Sequence, residues 1–262
     1  MPVRAILLHC KRHWPTTLLV LLSLPSLAGL GVWQLLRAQE KQALLLNYQQ
    51  LQAKPKVNLR YLTAQQRVDY LPVYLQGHFD RKHYWLLDNR SRNSRAGYEV
   101  VVPLIADQLV ILVNIGWVHA APERSRLPII DLPAGPMTVA GHLYTPQKNP
   151  FISTGESDLS IPWPKRVLQI DWEIVTRDLG LAGNGATLVQ KILRVDADDP
   201  VALEANWVLV NVDPSKHQAY AFQWFALLTA LLILYGWHLK SAVDLSKIRP
   251  SPASKKINAD DN

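Results

Sequence analysis

The chain has 262 residues, 48% of them hydrophobic and 19% charged, with 18 Pro, 12 Gly and a single Cys. That composition excludes a disordered or collagen-like polymer and a disulfide scaffold. Only two stretches are long and apolar enough to cross a bilayer, and they lie towards opposite ends, which excludes a transporter of many spans and leaves one medium-sized folded domain between them.

The net charge of +7 resembles a nucleic-acid signal until it is divided along the chain. Residues 1–12 carry Arg4, Lys11 and Arg12 and no acid, and residues 240–262 carry five bases against three acids. Residues 37–216 hold 20 bases and 18 acids, so the basicity sits in the tails and no nucleic-acid partner is expected.

Taken in order, residues 1–12 read as a cytoplasmic tail and residues 13–36 as the first transmembrane helix. Roughly 24 helical residues reach about 36 Å, enough for a hydrocarbon core of about 30 Å. Pro25 is expected to bend this helix, and Ser23, Ser26, Gly29 and Gly31 give it a thin side. A competing reading is a signal peptide cleaved after Ser26-Leu27-Ala28, against which the apolar sequence continues through Leu30–Leu36.

Residues 37–216 form the exported domain. Leu44, Leu45, Tyr48 and Leu51 share a helical face, which predicts that the helix continues out of the membrane and stops before Pro55. Beyond it the period changes to that of strands: Val73–Phe79, His83–Leu87, Tyr98–Leu104, Leu109–Val118, Met137–Leu143, Arg166–Ile170, Leu188–Val195 and Asn206–Val212. Asp-Asn, Pro-Glu, Pro-Ala-Gly and Asp-Asp-Pro turn signals separate them. The expected fold is a membrane-anchored α+β protein, with transmembrane helices at the termini flanking an antiparallel barrel or sandwich and a small helix at Trp172–Leu179. Pro146–Pro164 reads as a long loop. Residues 217–239 supply the second transmembrane helix, and residues 240–262 a second cytoplasmic tail. Short basic segments stay inside, so both termini are expected in the cytoplasm and the domain in the periplasm, or in the intermembrane space of a mitochondrion.

Catalytic signatures are scarce. There is no CxxC, HExxH or GxSxG, His78 and His83 lack a third ligand, and Gly180, Gly183 and Gly185 read as a turn, so no enzyme is expected. The remaining candidate is His217 at the outer mouth of the second span, with Tyr220, Ala221 and Trp224 on one face. A neutral imidazole there can ligate haem iron, while the commoner reading of the same spacing is a boundary histidine in an aromatic belt. Trp33, Gln34, Arg37 and Lys216 fall at similar depth, where either cation could meet a propionate or a lipid headgroup.

At these residues the sequence resembles the Surfeit locus protein 1 family of cytochrome c oxidase assembly factors. Four segments match in order: Gly31-Val32-Trp33-Gln34-Leu35-Leu36-Arg37 with Lys41; Gly77-His78-Phe79-Asp80 with Leu87-Asp88-Asn89-Arg90 and Gly97-Tyr98-Glu99-Val100-Val101-Val102-Pro103-Leu104; Leu112-Val113-Asn114-Ile115-Gly116-Trp117-Val118; and His217-Gln218-Ala219-Tyr220-Ala221-Phe222-Gln223-Trp224-Phe225. The sequence departs from the family pattern at Ile115, usually Arg, at Gln218, usually Leu, and at Gln223, usually Thr. The resemblance implies an inner-membrane protein of a bacterium that binds haem a transiently, with His217 as the iron ligand. Tyr220, Trp224, Arg37, Trp33 and Gln34 would border the haem, while Gly77, Asn114, Gly116 and Trp117 shape the outer domain. The implied partners are the oxidase catalytic subunit and the haem a synthesis machinery, together with membrane lipid. The alternative is a cofactor-free scaffold that stabilises an oxidase assembly intermediate.

Overall fold

The structure is a computed structural model, and it describes residues 2–152, 162–207 and 213–248. It divides into two compact units, one made of the chain up to Leu45 with the C-terminal helix, the other of Leu46–Leu209.

The first unit is a pair of long helices. Helix α1 (Pro2–Arg12) leads into α2 (Trp14–Gln52), and α4 (Pro214–Ile248) packs antiparallel to them. Both α2 and α4 are long and apolar enough to cross a membrane. Against the expectation from sequence they are not both at the chain termini: α1 precedes α2, and α2 runs 16 residues beyond Leu36. No residue between Arg37 and Gln52 breaks a helix, and the Leu, Ala and Gln of that stretch favour one. Lys54 N–H closes a tighter turn onto Leu51 O at 3.0 Å, and Pro55 then stops the helix as expected. Pro25 lies inside α2.

Val20, Leu24, Leu27, Gly31, Gln34 and Ala38 form the buried or half-buried seam of α2. His217, Ala221, Trp224, Leu228, Leu231 and Tyr235 form that of α4. Both step by alternating threes and fours, the spacing that keeps two helices in contact along their length. Ala38 and Ala221 are almost fully buried, so the backbones approach closely there.

The second unit is a five-stranded barrel. Its strands are β2 (Pro72–Phe79), β6 (Met137–Tyr144), β8 (Thr187–Val195), β5 (Leu109–His119) and β4 (Arg95–Ala106), and it closes where His78 and Phe79 pair with Ile105 and Leu104. Strand β1 (Val57–Asn58) adds to β2, while β3 (Trp85–Arg92) adds to β4 and carries β7 (Lys165–Val167). The barrel is not wholly antiparallel, since β5 and β8 run parallel; the connection between them passes through β6, β7 and α3 (Trp172–Asp178).

Strands β4 and β5 read as nearly unbroken apolar runs because both of their faces are covered. Val100, Val102, Leu104, Ile111, Val113 and Ile115 point into the barrel. Val101 and Leu112 point outward into a second cluster with Trp85, Leu87, Ile192 and Val175 of α3. Asp171 caps α3 by accepting from Glu173 N–H at 3.1 Å.

Several expected boundaries shift. Strand β3 starts at Trp85 rather than His83 and runs through Asp88-Asn89, where the sequence predicts a turn. Asn89 has φ 59° and sits at a register shift between Leu87 and Arg90, so the pair makes a bulge inside the strand. The hairpin turn lies four residues on, at Asn93 (φ 48°) and Ser94 (φ 61°). Strand β7 ends at Val167, short of Ile170, which joins the outer cluster. The strand expected at Asn206–Val212 is absent at Asn206 and Trp207, and its remainder lies outside the described residues, as does the middle of the Pro146–Pro164 loop.

Candidate functional site

The candidate site lies at the start of α4. Asp213 accepts from Ser215 N–H at 2.8 Å, and Pro214 follows at the first helical position, where its missing N–H and fixed φ are tolerated. This places His217 in the first turn of a capped helix, with Ala221 one turn on and buried in the seam. The imidazole is half-buried, and its Nδ1 lies 2.7 Å from Gln34 Oε1 of α2. Gln34 offers an acceptor there, so the neutral ring carries its proton on Nδ1 and donates it to the carboxamide. The lone pair of Nε2 is then left for a metal, and among the described residues no hydrogen bond uses that nitrogen. The same arrangement, one ring nitrogen held by a carbonyl and the other presented, fixes ring direction and tautomer in metal-ligating histidines.

The other expected residues divide. Trp33 and Tyr220 are 49% and 50% exposed, leaving large apolar faces uncovered by protein. Arg37 lies over the Trp33 ring, 5.9 Å from its centre, and its guanidinium pairs with Glu40 at 2.7 Å. One of its donors is therefore already engaged, and the others remain. Trp224 is half-buried in the seam, and among the described residues no ring contact joins it or Tyr220 to His217. Ala221, on the same face of the helix, is 1% exposed and fills the helix seam.

Sequence reasoning missed Phe225 as a partner of Gly31. A Cβ on Gly31 would come within 2.7 Å of the Phe225 ring, so glycine is what allows the two helices to close just below Gln34 and His217. The GxWQ spacing contained that information, but only the antiparallel register showed which ring fills the notch.

In the barrel, Gly116 and Asn114 shape a bulge. Val100 pairs with Gly116 and Val101 with Asn114, which leaves Ile115 as the extra residue. Gly116 has φ 122°, a conformation that other residues rarely adopt, and its N–H donates to Asn114 Oδ1 at 3.1 Å. Asn114 Nδ2 donates to Glu99 Oε2 at 2.7 Å. Ile115 is 1% exposed in the barrel core, so apolar packing occupies the position where the resemblance leads one to look for an arginine. Trp117 is buried, donates from Nε1 to Arg90 O at 2.9 Å and stacks where Gly97 has no side chain.

A model of the SURF1 family matches residues 21–229, which takes in most of α2, the barrel and the first part of α4. The chain belongs to the SURF1 family. It is 28% identical over 233 residues to a SURF1-like protein of Rickettsia bellii, covering 86% of this chain and 91% of the relative. A SURF1-like protein of Rickettsia felis is 25% identical over 237 residues, covering 88% and 99%, and one of Rickettsia conorii is 27% identical over 233 residues, covering 84% and 89%.

Proposed function

We propose that this SURF1 family member is an inner-membrane assembly factor for haem-copper cytochrome c oxidase, holding haem a transiently through His217 and assisting its delivery to the catalytic subunit. Two features support the membrane placement: α2 and α4 leave most of their apolar surface uncovered by protein, and the tails carry the basic residues. Both termini then lie in the cytoplasm and the barrel in the periplasm. The haem a synthesis machinery and the oxidase catalytic subunit are the partners, and the protein acts by binding rather than by catalysing a bond change.

The observation that carries this reading is the 2.7 Å contact between Gln34 and His217, which presents one basic nitrogen at the mouth of a helix pair. Haem, when bound, supplies the iron that this nitrogen ligates. Gln34 holds the ring's proton and direction, and the uncovered faces of Trp33 and Tyr220 can shelter an apolar macrocycle. The free donors of Arg37 and the exposed Lys216 can meet its carboxylates. A single imidazole suits reversible holding.

The test is purification after co-expression with the haem a synthesis enzymes. The wild type is expected to carry a haem absorption band that His217→Ala weakens. An unchanged band would remove His217 from the mechanism, and no band in the wild type would favour the cofactor-free scaffold.

A further inference from the structure

The helix pair gathers a second set of imidazoles at the end remote from His217. His9 lies in α1 and His13 at the junction with α2, and helical bonding continues through that junction. His13 N–H donates to His9 O at 2.9 Å, and Thr17 N–H to His13 O at 3.1 Å. The two rings therefore stand four residues apart on one helical face, the spacing at which a helix offers two histidines to one ion. Helix α4 returns His238 to the same place, with its Nε2 2.9 Å from His9 Nε2. The register is held one turn away, where Tyr235 Oη donates to Thr17 Oγ1 at 3.1 Å.

We propose that His9, His13 and His238 form a binding site for one late first-row divalent ion of the zinc class. With metal–nitrogen bonds of about 2.0–2.1 Å, a ligating ring centre lies about 3.2 Å from the ion, and two such centres at the tetrahedral angle lie about 5.2 Å apart. The three observed separations are 4.5 Å, 4.7 Å and 5.8 Å, on either side of that value. As the side chains stand, three nitrogens do not yet converge on one point. Side-chain rotation brings them together with the helix backbones left in place, since each ring turns on two torsions.

The donor set decides the class of ion. Imidazole without carboxylate suits zinc, cobalt, nickel or copper and not magnesium or calcium. The ligating form of each ring is the neutral imidazole, so binding releases any proton the site holds. Three protein ligands leave a fourth position for water, as in exchangeable rather than closed structural zinc sites. An ion here ties α1 to the last helix, about 31 Å along α2 from Gln34, counting 21 residues of helix rise. The site therefore stands independently of haem binding at His217.

The full chain, purified in detergent on a histidine-free affinity tag and stripped with chelator, is titrated with Co(II) and then with Zn(II). The expected result is one Co(II) per chain with the strong visible bands of a tetrahedral site, displaced by Zn(II). His9→Ala, His13→Ala and His238→Ala should each weaken binding at least tenfold. His9→Gln, which keeps the helix-forming stem, should do the same with an unchanged far-UV circular dichroism spectrum, and His78→Ala, an exposed histidine of β2, should bind as the wild type does. No saturable cobalt spectrum, or full affinity retained in His9→Ala and His238→Ala, would overturn the site. No haem is needed in the titration, so a failed haem assay leaves this result intact.

Discussion

Gln34 and His217 are 183 residues apart in sequence, yet the carboxamide oxygen of one lies 2.7 Å from Nδ1 of the other. One hydrogen bond thus sets both which nitrogen of His217 is protonated and which way the ring points. Gln34→Leu should lower haem affinity about 10–100-fold, the usual cost of losing an outer partner of a ligating histidine, and occupancy with it. Gln34→Glu keeps an acceptor in place and should retain most of the haem. The haem-to-protein absorbance ratio after co-expression measures both, and equal occupancy in the Leu variant would detach Gln34 from the site.

The notch at Gly31 makes a second, purely mechanical prediction. A Cβ there meets the Phe225 ring at 2.7 Å. Gly31→Val should cost about 1–3 kcal/mol of thermal stability in detergent, the range for overpacking a close contact. Adding Phe225→Ala opens the space again, so the double variant should recover part of the loss. Additive losses in the double variant would show that the two residues do not share the contact.

Much of this was legible in the residues because the governing signals are local. Uninterrupted apolar runs, tail charges, Pro55 and period-two strands place the helices and most of the barrel strands. Closure of the barrel was not legible, since it depends on two residue pairs between β2 and β4 and on a parallel pairing of β5 with β8 across a long connection. Asp88-Asn89 misled for a related reason: residues that tolerate positive φ serve a bulge as well as a turn, and only the partner strand decides between them. At the site, sequence pointed to His217, Gln34 and Arg37. It could not show that Arg37 already holds Glu40, or that Ala221 belongs to the seam. The His9, His13 and His238 cluster stayed hidden because one of its members arrives from the far end of the chain.

Asn114 ties two features of the barrel together. It is 2% exposed, donates to Glu99 at 2.7 Å and accepts from the Gly116 N–H at 3.1 Å. Asn114→Leu leaves both partners short of a bond in a dry setting and should cost about 1–3 kcal/mol. Asn114→Asp removes the donor and sets a second carboxylate against Glu99, so it should cost more at pH 7 than the apolar change. Urea unfolding of the full chain ranks the two variants, and the reverse order would mean that shape, not the hydrogen bonds, holds the bulge.

His142 gives the barrel a defined acid limit. It is 2% exposed on β6, its Nε2 has no hydrogen-bond partner, and the Tyr48 ring packs edge-on at 5.8 Å. Burial, with Arg194 paired opposite it on β8, lowers its pKa to about 4 from 6.5. Between those values the unfolded chain binds a proton that the folded chain refuses. Stability is therefore full above pH 6.5, falls as the pH drops towards 4 and levels off below. The shift corresponds to about 3 kcal/mol on the scale of 1.36 kcal/mol per pKa unit. His142→Phe removes the titration without creating an unpaired donor, so it should stay within about 1.5 kcal/mol of the wild type at pH 7. Its stability should fall less than the wild type's between pH 7 and pH 4.5, and chemical unfolding of both at the two pH values reads the difference. Parallel losses in the two proteins would place the acid sensitivity in other groups.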